Sequence, residues 1–219
     1  RKNKIKRYLY TSSIGVYNPK SIMKEIDVWD TFPSKNDWYS GWAKRIGELQ
    51  VDALTKEEIN KMKTVIVRPA NVYGPHDNFD VKTAMVIPSL ISKFVNSKNK
   101  KVNVWGNGST VRDFIFSKDV ARSMAKLMKI APKKPINIGS GKGCRIADVV
   151  NIINKYFNNQ FSINWDKTKP SGDKIRILDT KYLHSLGIKQ ETSLEKGIVE
   201  TIEWFLKNKN KQNRFNIFK

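Results

Sequence analysis

The chain has 219 residues, 39% of them hydrophobic and 11% aromatic, and a formal net charge of +21. That content excludes a disordered polypeptide and is enough for one substantial domain with a small lobe. No run approaches the roughly 18 apolar residues of a membrane span, and the opening RKNKIKRYLY lacks the apolar centre of a signal peptide.

The charge comes from 32 Lys and 9 Arg spread along the chain. Lysine used this way is a solvated surface residue, and no recognition-helix, zinc-finger or RNA-binding signature accompanies it, so no nucleic-acid partner is expected. A cytoplasmic protein without a membrane partner is the simplest reading. One cysteine (Cys144) and two histidines (His76, His184) give neither an internal disulfide nor a zinc-site spacing.

In chain order, Lys6 to Thr11 reads as a buried strand, and a loop with Pro19 and Pro33 leads to a helix over about Tyr39 to Leu54. In that helix Trp42, Ile46, Leu49 and Leu54 recur at helical spacing. Thr64 to Arg68 is the next strand, so the segment is the strand–helix–strand crossover of a parallel sheet. Helices are predicted near Met85 to Val95 and Ser117 to Ile130, and short strands at Val102 to Trp105, Arg112 to Phe116 and Pro135 to Ile138. Beyond Gly139 come a helix at about Arg145 to Phe157, a strand at Phe161 to Trp165, and a helix at Ser193 to Lys207 with Ser193 as cap and Glu195 in its first turn. Residues 208–219 form a polar tail.

These elements predict an α/β, Rossmann-like parallel sheet with a smaller C-terminal α/β lobe. Residues 1–80 and about 108–140 are assigned to the sheet domain, and 81–107 and 141–207 to the lobe. A dinucleotide-binding sheet carries G-x-G-x-x-G after its first strand, because only glycine lets the backbone reach a pyrophosphate. GSGKGC (Gly139 to Cys144) is the nearest imitation and lies too late in the chain, so it reads as a turn.

Three motifs follow in fixed order: TSSIGVY (Thr11 to Tyr17), WYSGWAKRIGE (Trp38 to Glu48) and RPANVYGP (Arg68 to Pro75). Further on stand VIPSLI, VWGNGSTVRDFIFSKDVA, NIGSG and KPSGDKIRILDTKYLHSLGI. As an ordered set these resemble the extended short-chain dehydrogenase/reductase family, the NAD(P)-dependent nucleotide-sugar epimerases, dehydratases and reductases. The resemblance implies NAD or NADP as cofactor, a nucleotide-sugar substrate and a homodimer. It also implies that roughly a hundred residues with the glycine-rich turn would precede Arg1.

Carried over by position, Ser13 is the catalytic hydroxyl and Lys44 the lysine that holds the nicotinamide ribose and favours a neighbouring phenolate. Thr11, Pro69, Asn71 and Val72 join Lys44 in the cofactor site. Ser13, Asn71, Val86, Trp105, Arg112 and Arg176 fall on the substrate side, where a ring can stack on a base and guanidinium groups can grip phosphate.

The chain departs from the pattern in two places. The family's tyrosine stands four residues before its lysine, on the same helical face. Here that residue is Ser40, and Tyr39, five before Lys44, is rotated by about 140° on an ideal helix. Tyr39 therefore either precedes the regular turns or sits on a bulge and still reaches Ser13, or Ser40 replaces it weakly, or the chain does not turn over. The family members that invert carbons next to a ketone use a cysteine two residues after the serine and a histidine before Val-Ile-Pro; here those residues are Gly15 and Met85, which exchange no protons. The 4,6-dehydratases place Asp-Glu after the hydroxyl residue, where this chain has Ile14 and Gly15. What remains is oxidation and re-reduction at one carbon, a C4-type epimerisation, or reduction of a 4-keto sugar.

His76 reads as a loop residue, Cys144 as a small buried side chain, and Asp179 as a helix cap. Trp38, Trp42 and Trp204 read as core.

Overall fold

The computed structural model describes residues 5–56, 62–169 and 172–209. Most of the expected tail, residues 210–219, lies outside the described residues.

Strand β1 (Arg7–Thr11) ends at Ser12 and Ser13, and the chain passes through three 3-10 turns, Ile14–Val16, Glu25–Val28 and Lys35–Asp37, into helix α1 (Trp38–Lys56). Strand β2 (Lys63–Pro69) returns parallel to β1 in the register Thr11↔Val67. A short strand, β3 (Asn71–Tyr73), continues from it, and α2 (Val86–Asn96), β4 (Lys101–Trp105), β5 (Val111–Phe116) and α3 (Ser117–Ile130) follow. The remainder is β6 (Ile136–Ile138), β7 (Gly143–Arg145), α4 (Ile146–Tyr156), β8 (Ser162–Asp166), β9 (Ile175–Arg176), α5 (Lys181–Ser185) and α6 (Leu194–Asn208).

The strands form a parallel sheet in the order β1-β2-β6, a second sheet β3-β5-β7 with β9 parallel to β5, and a parallel pair β4-β8. The predicted helices and strands are found within a residue or two of their expected ends. Ser193 caps α6 by accepting from Lys196 N, as its position before an acidic first turn implied. Missed were β3, β7, which takes up the end of the expected turn, and the two-residue β9. Asp179 does not itself cap α5; Thr180 holds that place, and Asp179 accepts from Lys181 N at 2.8 Å.

Two apolar clusters fill the interior. One packs Val65, Val67, Ile136 and Ile138 of the first sheet against Leu127 of α3 and Leu183 of α5. The other gathers Ile87 and Phe94 of α2, Val102 and Val104 of β4, Val149 and Ile153 of α4, and Ile198 and Ile202 of α6.

Helix α1 reverses the expectation from its apolar spacing. Ile46, Leu49 and Leu54 are exposed, whereas Gly41, Arg45, Glu48 and Val51 are buried. The buried stripe is polar because it meets backbone and charge. Arg45 donates to Val16 O at 2.9 and 2.7 Å and to Thr31 O at 2.6 Å. Glu48 receives Arg68 Nε at 2.9 Å and Nη2 at 2.6 Å, with both side chains almost fully buried. Arg68 also donates to Tyr17 Oη at 3.1 Å, and Tyr17 donates to Asn137 Oδ1 at 2.6 Å. A buried charge pair persists only when its remaining hydrogen bonds are satisfied. This network meets that condition and ties β2, α1 and β6 to the loop carrying Ser13.

Candidate active site

The loop after β1 is held close to the start of α1. A Cβ on Gly41 would stand 2.5 Å from Gly15 O and 2.6 Å from Pro33 Cβ, so only glycine permits this approach. Ser13 caps the first 3-10 turn, its Oγ accepting from Gly15 N at 3.1 Å. On the facing side of α1, Lys44 Nζ donates to Thr11 O at 2.8 Å. The structure thus brings Lys44 to the end of β1, two residues from Ser13, at the carboxyl edge of a parallel sheet, where α/β folds bind their ligands.

It does not bring Tyr39 there. Helix α1 is regular from Trp38, with no bulge, and Tyr39 in its first turn is 89% exposed. Among the described residues no hydrogen bond joins its phenol to Ser13 or Lys44. Ser40 stands four residues before Lys44, on its face of the helix, and its Oγ donates to Asp37 O at 3.2 Å. Two other phenols lie nearby and neither is suited to take a proton. Tyr10, whose ring centre is 5.5 Å from Lys44 Nζ, is held above its ordinary pKa by burial and by the charge of Glu48. Tyr17 is fully buried and raised further by desolvation.

The other cofactor-side residues are ordered by backbone pairing. Pro69 is buried at the end of β2 against Ile138, and Asn71 Nδ2 donates to Asp113 O at 2.8 Å while Val72 packs half-buried beside the first cluster. Ser12 Oγ, at the strand end, is buried without a hydrogen-bond partner among the described residues. A buried hydroxyl left unpaired costs free energy that a ligand group could recover.

A cleft of about 270 Å³ opens between α2 and β4, lined by Val86, Leu90, Lys93, Trp105, Arg112 and Ile146 among others. Trp105 is 58% exposed and offers its ring to a planar partner, with Lys93 Nζ 5.6 Å from the ring centre. Desolvation lowers the pKa of Lys93, and burial followed by the neighbouring Arg176 lowers that of Arg112. Lys93 was absent from the expected site because one lysine on an amphipathic helix reads as a solvated residue. Its signal was spacing: Val86, Leu90 and Lys93 stand at i, i+4 and i+7, one face of α2.

Arg176 is placed differently from its expected role. It pairs with Arg112 in register, but its guanidinium forms ion pairs with Asp37 and Asp173 and donates to Ile14 O at 3.1 Å, leaving it 8% exposed. Cys144 is half-buried rather than fully so, and burial pushes its thiol up to about 11. His76 lies in a loop at a positive φ of 67°, its ring 4.6 Å from Trp204. Trp38 is 40% exposed and packs on Phe32 and Trp42 at the surface rather than in the core.

A parallel sheet whose carboxyl edge carries a serine hydroxyl and a helix-borne lysine, next to a cleft with a tryptophan and cationic side chains, defines a short-chain dehydrogenase/reductase of the extended type. The chain belongs to the NAD dependent epimerase/dehydratase family, whose pattern it matches over residues 1–139. It is 35% identical over 162 residues to GDP-L-fucose synthase of Escherichia coli K12, covering 68% of this chain and 50% of that protein. In structure it is similar to a GDP-L-fucose synthetase from Naegleria fowleri bound to NADP, with a TM-score of 0.88, 25% identity, and coverage of 94% of this chain and 68% of that one. It is likewise similar to a UDP-glucose 4-epimerase from Thermotoga maritima with UDP-glucose, with a TM-score of 0.80 and 25% identity, covering 94% of this chain and 65% of that one. The chain spans about half to two thirds of the length of these relatives. Among the described residues no helix is long and apolar enough to cross a membrane.

Proposed function

We propose that the protein containing this chain is an NAD(P)-dependent nucleotide-sugar epimerase acting at a single carbon, of C4 type. The observation that carries this reading is the seating of Lys44 on Thr11 O, two residues from Ser13, with the Trp105–Arg112 cleft available for a sugar nucleotide. A cytoplasmic homodimer is part of the same proposal.

The residues present suit the nicotinamide-ribose end of such a cofactor. Lys44, Thr11, Asn71 and Val72 line the strand ends, and Ser12 Oγ, without a partner among the described residues, is a buried polar group of the kind a bound ligand satisfies. The 219 residues contain no glycine-rich phosphate turn, so the pyrophosphate end has no counterpart in this chain. Bound there, the nicotinamide would supply hydride chemistry.

The chain's own residues would do the remaining work. Ser13 Oγ would hydrogen-bond the reacting sugar oxygen, and the Lys44 ammonium would stabilise negative charge developing there. Trp105 would stack on the base, with Arg112 and Lys93 neutralising the diphosphate. Ser40, on Lys44's face of the helix, would relay the proton. It is a weaker carrier than a phenol, so slow turnover is expected.

A second reading, nucleotide-sugar binding without turnover, is favoured by the solvent-facing ring of Tyr39. Incubating the full-length protein with UDP- and GDP-hexoses distinguishes the two. Interconversion of C4 epimers supports the epimerase; tight binding with no epimer and no reduced cofactor supports the binder. Reduction of a 4-keto sugar alone would assign a reductase, the class named in a further relative, dTDP-4-dehydro-6-deoxy-D-allose reductase.

A further inference from the structure

Gly15 lies between Ser13 and the ionisable side chain of Asp37. A Cβ built on residue 15 would lie 3.4 Å from Ser13 Oγ and 3.5 Å from both Cβ and Cγ of Asp37. The serine hydroxyl and the Asp37 carboxyl therefore flank a single point in the site.

Asp37 is firmly positioned. Its 3-10 turn is capped by Ser34, whose Oγ accepts from Asn36 N at 3.1 Å. Ser34 Oγ and Asn36 Nδ2 in turn donate to Asp173 at 3.1 and 2.9 Å. Arg176 holds Asp37 Oδ2 while donating its other amino group to Ile14 O. Among the described residues, Oδ1 has no hydrogen-bond partner, and the side chain keeps 28% of its surface exposed. One carboxylate oxygen is thus anchored and the other is open to a ligand.

We propose that Asp37 exchanges protons at a carbon adjacent to the carbonyl of a bound keto-sugar nucleotide, a chemistry that Gly15 and Met85 cannot perform. This rests on the reading of the site as a nucleotide-sugar site and goes beyond its single-carbon redox chemistry. In the step, the carboxylate takes the proton: the C–H bond breaks and an O–H bond forms on Asp37. The electron pair moves into the carbonyl oxygen, giving an enolate that Ser13 Oγ stabilises by hydrogen bonding. Return of a proton from the carboxyl, after exchange with solvent, restores the ketone. No oxidant or reductant enters the balance.

The test uses the full-length protein without added nicotinamide cofactor, a nucleoside-diphosphate 4-keto-6-deoxyhexose and heavy water, with proton NMR reading loss of the signals next to the ketone. The wild type is expected to incorporate deuterium, and D37N to do so at least about 100-fold more slowly while binding the nucleotide as before. If D37N loses binding through a disturbed fold, D37E decides: measurable exchange supports the assignment, and none overturns it. D37N exchanging within threefold of wild type overturns it. So does a wild type that binds the nucleotide without exchange, although the proposed epimerase would stand. A wild type that fails to bind the nucleotide removes both.

Discussion

The Lys44 ammonium hydrogen-bonds the backbone carbonyl of Thr11 at 2.8 Å, joining the middle of α1 to the last residue of β1. This contact fixes which helical face looks into the site, and with it which side chains can take part. Residues 40 and 44 share that face; residue 39 does not.

Replacing Lys44 by Met removes a cation seated at the strand end. Loss of such an electrostatic group costs on the order of 100-fold in kcat/KM. Steady-state kinetics on the full-length protein should show that fall, with thermal stability nearly unchanged because the side chain is half-exposed.

Tyr39→Phe should leave kcat within about twofold of wild type, since a phenol 89% exposed has no proton to carry in the site. Ser40→Tyr should raise it by at least about tenfold by placing a phenol over the lysine, where the ammonium favours its ionised form. A large loss on Tyr39→Phe would mean that the helix start rearranges on binding.

Arg68→Met leaves Glu48 as an uncompensated charge inside the molecule, where the pair is only 1% and 2% exposed. The expected loss is about 3–5 kcal/mol, read from a urea titration. Arg145→Ala, which breaks a surface pair with Asp148, should not move the midpoint measurably.

Cys144 should be slow to alkylate. Burial, then the charge of Asp148, raise its thiol from 9.0 to about 11, so the protonated form is favoured. Thiolate is the reactive species, and at pH 8 this shift leaves about a hundredfold less of it than in a free cysteine. Iodoacetamide labelling of the folded protein should therefore climb steadily between pH 8 and 11; a rate at pH 8 equal to that of the unfolded chain would contradict the burial argument.

The sheet and its helices were legible in the sequence because Thr64 to Arg68 and Ser117 to Ile130 have clear periods and boundaries. The motifs made the proximity of Lys44 to the end of β1 legible, since Lys44 Nζ meets Thr11 O two residues before Ser13. Tyr39 was ambiguous because helical phase depends on where the first regular turn begins, and there Gly41 packs against Gly15 O, across the loop that joins β1 to α1. The inverted burial of α1 was hidden for a related reason. Its inward residues, Arg45 and Glu48, look like surface residues until Val16 O and Arg68 are brought to them. Arg176 was misassigned because its partner Asp37 lies 139 positions earlier in the chain.

Trp105, Arg112 and Lys93 are proposed to seat a sugar nucleotide in front of Ser13 and Lys44. The most direct test is calorimetric titration of UDP- and GDP-hexoses into the full-length protein and its Arg112→Ala variant. Saturable binding that weakens at least about tenfold in the variant, and that survives an excess of DNA, is the predicted result. Equal affinity in the two proteins, or binding abolished by DNA, would contradict it.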